Sequence, residues 1–387
     1  MVVQSKIPSL DGLRAASIVI VLIGHGQTLG DPWPGHVGVT VFFFLSGFLI
    51  TTLLRREYEA NQRISLGRFY LRRALRILPP AWIAITLCVI VGAAGILPST
   101  MNIWGTLSEY LNYTNYYLVY ADQVHGERTF GLPPESTQLW SLAVEEHFYL
   151  VFPLLLIVLT ALRIRMRTIG WALLAAGGAV LVWRLVLSLE GAGFYRLYVS
   201  TDTKFDGLVI GAAMALLFNP ALGDRPPFGI PEWIVNRVLA PVGVVVFVIA
   251  AISPEAPRLA VADSAICLAL IPVFWFVITR PTSVAGRVLN HRWVAHLGVL
   301  SFSVYLLHRL VLGLVQLAGL EPWLSDLSAY LLVLIPAQLM FLLVERPLGR
   351  VRRDFEARLR PSGCVSPAGV RGEATVESMS ATVRAHE

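Results

Sequence analysis

The chain has 387 residues, 56% of them hydrophobic and 14% charged, with a formal net charge of +6. A soluble domain carries roughly 25% charged residues, so this composition, with a mean hydropathy of +0.66, excludes a water-soluble body of this size. The positive balance suits loops that face anionic lipid, and no nucleic-acid binding is inferred from it.

Apolar runs approach the roughly 20 residues that a helix needs to cross a bilayer. In chain order they predict spans near 13–30, 37–54, 81–97, 139–160 and 169–189. The later ones fall near 205–218, 235–252, 261–279, 298–319 and 326–344, the sixth being the shortest. The first run is longer than a signal core and has no small-residue cleavage site, so it reads as a retained span.

Lys and Arg accumulate in cytoplasmic loops. Between spans two and three stand Arg55, Arg56, Arg63, Arg68, Arg72, Arg73 and Arg76. Arg163, Arg165 and Arg167 lie between four and five, Arg280, Arg287 and Arg292 between eight and nine. The alternate loops are poor in positive charge. The pattern predicts an all-α integral membrane protein, a polytopic bundle of about ten transmembrane helices with both termini cytoplasmic. Residues 1–347 form the membrane domain in this reading. Residues 348–387 form a cytoplasmic tail, basic at first and then, from 361, of the composition of disordered chain. Cys88, Cys267 and Cys364 have no disulfide or metal spacing, and no metal or permanently bound cofactor is expected.

Ionisable residues inside spans are expensive and mark function. His25 lies in the first predicted span, Glu145, Glu146 and His147 in the fourth, His308 in the ninth. A lone membrane histidine also serves as an interhelical hydrogen-bonding group, and His308 admits both readings. Adjacent carboxylates in hydrocarbon need partners or a wet cavity. At a rise of about 1.5 Å per residue, His25 sits about 18 Å up its helix and Glu145 and Glu146 about 10 Å down theirs. In a core of about 30 Å these depths nearly coincide, and His308, about 15 Å along its span, joins the layer.

Arg14 precedes His25 by eleven residues, roughly three turns, so the two share a helix face about 16 Å apart along the axis. Arg73 and Arg76 share a face at i and i+3. Guanidinium forks suit phosphate oxygens, although such arginines also fix topology and reach for lipid headgroups. The geometry fits a long cosubstrate with phosphates at one end and a reactive group at the other. Acyl-CoA is such a molecule. A desolvated, neutral histidine accepts a proton, here from a hydroxyl attacking the thioester, and a neighbouring Glu145 or Glu146 would orient it.

The strings IPSLDGLRAASIVIVLIGHG, GVTVFFFLSGFLIT, RFYLRRALRILPPAW, QLWSLAVEEHFYLVFPLLL and SFSVYLLHRLV resemble, in order, the signatures of the acyltransferase-3 family of membrane-bound acyltransferases. The resemblance runs from residue 7 to about 347. It implies a ten-helix fold in a bacterial cell (inner) membrane, acyl-CoA as donor, and O-acylation of a hydroxylated acceptor: a sugar, a glycolipid or a macrolide antibiotic. The family's Arg-x10-His motif falls on Arg14 and His25, its Arg-x-x-Arg motif on Arg73 and Arg76, and its WSLxVEE segment reaches Glu145 and Glu146. Ala15 stands where Gly is more usual, and Lys204 where Arg is. No serine sits in a Gly-x-Ser-x-Gly elbow, so the chemistry is expected from the membrane body. A polytopic transporter or flippase for a glycan or metabolite is the alternative class; it too would carry polar groups at mid-depth.

Overall fold

The computed structural model describes residues 7–28, 35–127 and 129–358, and among them every regular element is helical. The bundle comprises α1 (Leu10–His25), α2 (Gly35–Asn61), α3 (Leu66–Ala93), the short α4 (Ile103–Tyr110) and α5 (Thr114–His125), α6 (Trp140–Ala161) and α7 (Met166–Leu189). There follow the small α8 (Phe194–Tyr198) and α9 (Thr201–Lys204), then α10 (Asp206–Leu217). The last third holds α11 (Glu232–Ala251), α12 (Arg258–Thr279), α13 (Val284–Leu289), α14 (Arg292–Gln316) and α15 (Pro322–Arg353). Among the described residues eight helices are long and apolar enough to cross a membrane: α2, α3, α6, α7, α11, α12, α14 and α15. The two other expected spans correspond to the shorter helices α1 and α10. The tail expected from residue 361 lies outside the described residues.

The shortness of α10 has a packing reason. All its residues from Asp206 to Leu217 are buried, enclosed by α2, α7 and α12. It presents no face to lipid, so it carries neither an amphipathic stripe nor a full membrane length. Small residues let the backbones meet, as in other membrane bundles. A Cβ added at Gly47 of α2 would lie 1.9 Å from the Leu208 carbonyl oxygen, and one at Gly211 would lie 2.2 Å from that of Phe44.

α3 begins fifteen residues before the expected start at 81, which puts Arg68, Arg72, Arg73 and Arg76 on the helix itself. The apolar window opens only after Pro79 and Pro80, which lack the N–H that would bond back one turn. The helix continues through them because Ile77, Pro80, Ala81, Ala84, Ile85 and Cys88 form one buried stripe at helical spacing. The segment read as a loop from 98 to 137 contains α4 and α5. Asn102 caps α4, its side-chain oxygen accepting from the Gly105 N–H at 2.9 Å.

α1 packs between α2 and α14. Its approach to α2 is a backbone contact: a Cβ at Gly24 would lie 2.1 Å from the Gly35 Cα. Beyond Gly26 the Asp326 carboxylate of α15 accepts from the backbone N–H groups of Gln27 and Thr28 at 2.9 and 2.8 Å. These contacts fix the last turn of α1, which carries His25.

Candidate functional site

His25 ends α1 with its Nδ1 2.9 Å from the Val21 carbonyl oxygen. A carbonyl only accepts, so Nδ1 carries the hydrogen, and Nε2 of the neutral ring is a lone-pair acceptor. The same reasoning applies to His308 of α14, whose Nδ1 donates to the Tyr305 carbonyl at 2.7 Å. The two imidazoles meet edge to face with centroids 4.9 Å apart. His308 is buried, and its Nε2 accepts no hydrogen bond from the protein.

Two cavities flank this level. The first, of about 90 Å³, is lined by Arg14, Arg73, Arg76, Ser46, Glu145 and Tyr149, among others. Three guanidinium groups therefore face one carboxylate. Arg14 has a partner in Asp11 at 3.4 Å. The Arg73 guanidinium lies 4.4 Å from the centroid of the Tyr149 ring and within electrostatic reach of Glu145 and Glu146. Among the described residues neither Arg73 nor Arg76 forms an ion pair with a carboxylate. Glu145 accepts from the Ser46 hydroxyl at 2.7 Å.

The second cavity, of about 180 Å³, holds His25 together with His36, Gln138, Trp140, Tyr198 and Lys204. Val39 and Tyr305 line both cavities. The Tyr305 hydroxyl donates to the Gln138 carbonyl at 2.8 Å and lies 2.6 Å from the Ser141 hydroxyl. α1 thus carries Arg14 into one cavity and His25 into the other, as the eleven-residue spacing requires.

Behind the second cavity lies a closed lattice of charge. Arg184 of α7, wholly buried, donates to the Asp206 carboxylate at 2.9 Å, to Ser264 at 2.6 Å and to the carbonyls of Thr203 and Ala260 at 3.0 and 3.1 Å. Lys204 pairs with Asp263, which also accepts from Thr40 at 2.7 Å. Two cations meet two anions.

The expected site residues are therefore brought into two groups. Arg14, Arg73, Arg76 and Glu145 converge on one cavity, while His25 lies in the other beside His308. The side chain of His25 bonds to the Val21 carbonyl, and among the described residues neither Glu145 nor Glu146 bonds to it. Glu146, one residue further round α6, has its Oε1 buried without a partner, and His147 turns to Thr201 at 2.8 Å. Sequence reasoning passed over Arg184, Asp263, His36 and Gln138. Arg184 lies inside the predicted span 169–189, so the rule that selected His25 selects it too.

An all-helical bundle that encloses a cationic cavity and a histidine-bearing one defines a multi-pass membrane protein with an internal site. The family model described as an acyltransferase domain matches residues 7–344, and the chain belongs to that family, the acyltransferase-3 family. It is similar to the peptidoglycan O-acetyltransferase OatA of Listeria monocytogenes serovar 1/2a, with 27% identity over 89% of this chain and 56% of the relative. It is also similar to YrhL of Bacillus subtilis strain 168, provisionally named a peptidoglycan O-acetyltransferase, with 28% identity over 88% of this chain and 55% of the relative. The chain spans little more than half the length of these curated relatives. No solved structure matches. The apolar helices and the bacterial relatives make it a multi-pass protein of the bacterial cell membrane.

Proposed function

We propose that the protein is an O-acyltransferase that moves a short acyl group, acetyl in the simplest case, from acyl-CoA to a hydroxyl of a carbohydrate, glycolipid or macrolide. The observation that carries this reading is α1 itself: one helix bears Arg14 in the cationic cavity and, three turns on, His25 with its Nε2 lone pair in the next. Phosphates of the donor rest on Arg14, Arg73 and Arg76, of which Arg73 and Arg76 form no ion pair at contact distance among the described residues. The pantetheine arm carries the thioester toward Tyr305. His25 Nε2 takes the acceptor's hydroxyl proton as the oxygen attacks the thioester carbonyl carbon. The carbon–sulfur bond breaks, and the departing thiolate takes the proton from His25, giving free CoA and an ester. His25 keeps its tautomer throughout because Val21 holds Nδ1–H. Glu145, bonded to Ser46, partly balances the arginines, and Arg density in the loops sets the cationic cavity toward the cytoplasm, where acyl-CoA is made.

The test is His25→Ala in purified protein supplied with labelled acetyl-CoA and acceptor. Loss of a general base costs about 10² to 10⁴ in rate, so turnover should fall by that factor while acetyl-CoA still binds. Retention of more than about a third of normal turnover, far above that range, would overturn the assignment.

A further inference from the structure

We infer that residues 133–139 form a strap across the His25 end of the bundle, that the Glu135–Arg309 ion pair is its clasp, and that the clasp must open before the acceptor reaches His25. The strap stands on geometry alone; that the molecule passing it is an acceptor rests on the acyltransferase reading.

The segment starts stiffly at Pro133 and Pro134, whose rings fix their backbone torsions, and ends in a turn of 3-10 helix, Thr137–Leu139, that leads into α6. Gln138 on this turn lines the histidine cavity. Two bonds tie the turn to α14 there. Gln138 Nε2 donates to the Leu306 carbonyl at 3.2 Å, and the Tyr305 hydroxyl donates to the Gln138 carbonyl at 2.8 Å. The third tie is at the other end of the segment. Arg309, next to His308, donates from Nε and Nη2 to Glu135 Oε2 at 3.0 and 2.8 Å. Glu135 lies over Gly313, one turn further along α14, where a Cβ would stand 2.8 Å from its Cγ.

Three observations mark this clasp as one that opens. Glu135 has a φ of 54°, in the left-handed region that a non-glycine residue occupies only when its surroundings hold it there. The paired side chains are 28% and 29% exposed, and ion pairs so close to water contribute little, so the pair offsets the strain only weakly. Beneath the strap, Glu109 of α4 is buried beside Ser136 with neither carboxyl oxygen bonded. The Ser136 hydroxyl donates instead to the Pro133 carbonyl at 2.6 Å. In the cavity itself, Gln138 Oε1 and His36 Nε2 are also buried without partners. Unpaired polar atoms are costly to bury, and water entering under a raised strap would satisfy them. The costs fall on the closed state, which leaves closed and open nearly balanced. A tie that served only to hold helices together would have no reason to carry strain at its anchor and bare polar atoms below.

The experiment uses the full chain in lipid nanodiscs. Carbethoxylation of His25, mapped by mass spectrometry at fixed pH, reads the opening, and the exposed His125 serves as control. Glu135→Gln should speed modification of His25 about two- to five-fold, as the loss of a part-exposed ion pair allows, and leave His125 unchanged. Glu109→Leu removes the unbonded carboxyl and should slow it about five-fold or more. In a background with Cys88, Cys267 and Cys364 changed to Ala, Glu135→Cys and Arg309→Cys are bridged with a reducible methanethiosulfonate cross-linker. The bridge should cut both His25 modification and turnover about ten-fold or more, with reductant restoring both, as for other gated sites. Acetyl-CoA should bind the bridged protein with its affinity unchanged, which separates a closed strap from a damaged fold. The two single variants supply the readout if the cysteine protein fails to fold. Equal His25 modification in all these proteins, or full turnover with the bridge in place, would overturn the strap. Gated modification without transfer to any acceptor would sink the proposed activity and leave the strap standing; transfer that persists through the bridge would do the reverse.

Discussion

The bundle contains two concentrations of buried charge, and they are built on opposite plans. In the Arg184–Asp206–Lys204–Asp263 lattice every formal charge has an opposite charge at hydrogen-bonding distance, and hydroxyls and carbonyls take up the remaining donors. In the cationic cavity the charges are only loosely matched: Arg14 meets Asp11 at 3.4 Å, and Arg73 rests on the Tyr149 ring within electrostatic reach of Glu145 and Glu146 but without an ion pair at contact distance. A balanced lattice in low dielectric ties helices together. A loosely paired cluster leaves guanidinium donors open, as the proposed binding of donor phosphates requires. Charge balance therefore separates structure from site more sharply than burial does, since Arg184 is the more buried of the two kinds.

The largest effect should come from unbalancing the lattice. Arg184→Met leaves Asp206 as an uncompensated buried carboxylate, a change worth about 3–5 kcal/mol, and should abolish the monodisperse protein peak after extraction. Removing both charges, Arg184→Met with Asp206→Leu, should restore much of it, because paired removal is often near neutral. If the single and double variants are equally unstable, Arg184 acts through its carbonyl bonds to Thr203 and Ala260 instead. The next effect separates the cavities. Arg73→Gln and Arg76→Gln should leave thermal stability nearly unchanged while raising the KM for acyl-CoA about ten-fold or more each, the loss of a charge-assisted bond of about 1.5–3 kcal/mol. The acceptor KM should not move, and Lys at either position should recover part of the loss, since it keeps charge without the fork. A variant that lost stability with unchanged donor KM would place these arginines with the structural lattice. The smallest effect is at the edge of the cavity. Ser46→Ala removes the 2.7 Å bond to Glu145, a neutral-to-charged contact of about 1.5 kcal/mol at most for a half-buried site. The KM for acyl-CoA should shift two- to ten-fold at an unchanged melting temperature, and an unchanged KM would show that the Ser46–Glu145 bond does not tune the donor cavity.

Much of this plan was legible in the residues. Composition and apolar windows identify an all-helical membrane bundle, and the spacing from Arg14 to His25 puts both on one helix but does not say that they line separate cavities. The windows missed the true start of α3 because two prolines interrupt a helix whose buried stripe nevertheless runs through them. They also made α10 look marginal because a helix surrounded by protein needs no lipid-facing length. Depth arithmetic set His25, His308 and Glu145 in one layer. It could not say that Glu145 and His25 line different cavities with Tyr305 common to both, since azimuth around the bundle depends on contacts such as Gly24 against Gly35 that no single helix encodes. His36 and Gln138 escaped notice because each looks unexceptional in sequence. Only the tally of satisfied and unsatisfied atoms distinguishes them.

The shared Tyr305 has a consequence for communication between the two cavities. One ring contributes to both linings, and its hydroxyl is tied to Gln138 and Ser141, so a displacement of that ring on one side reshapes the other side as well.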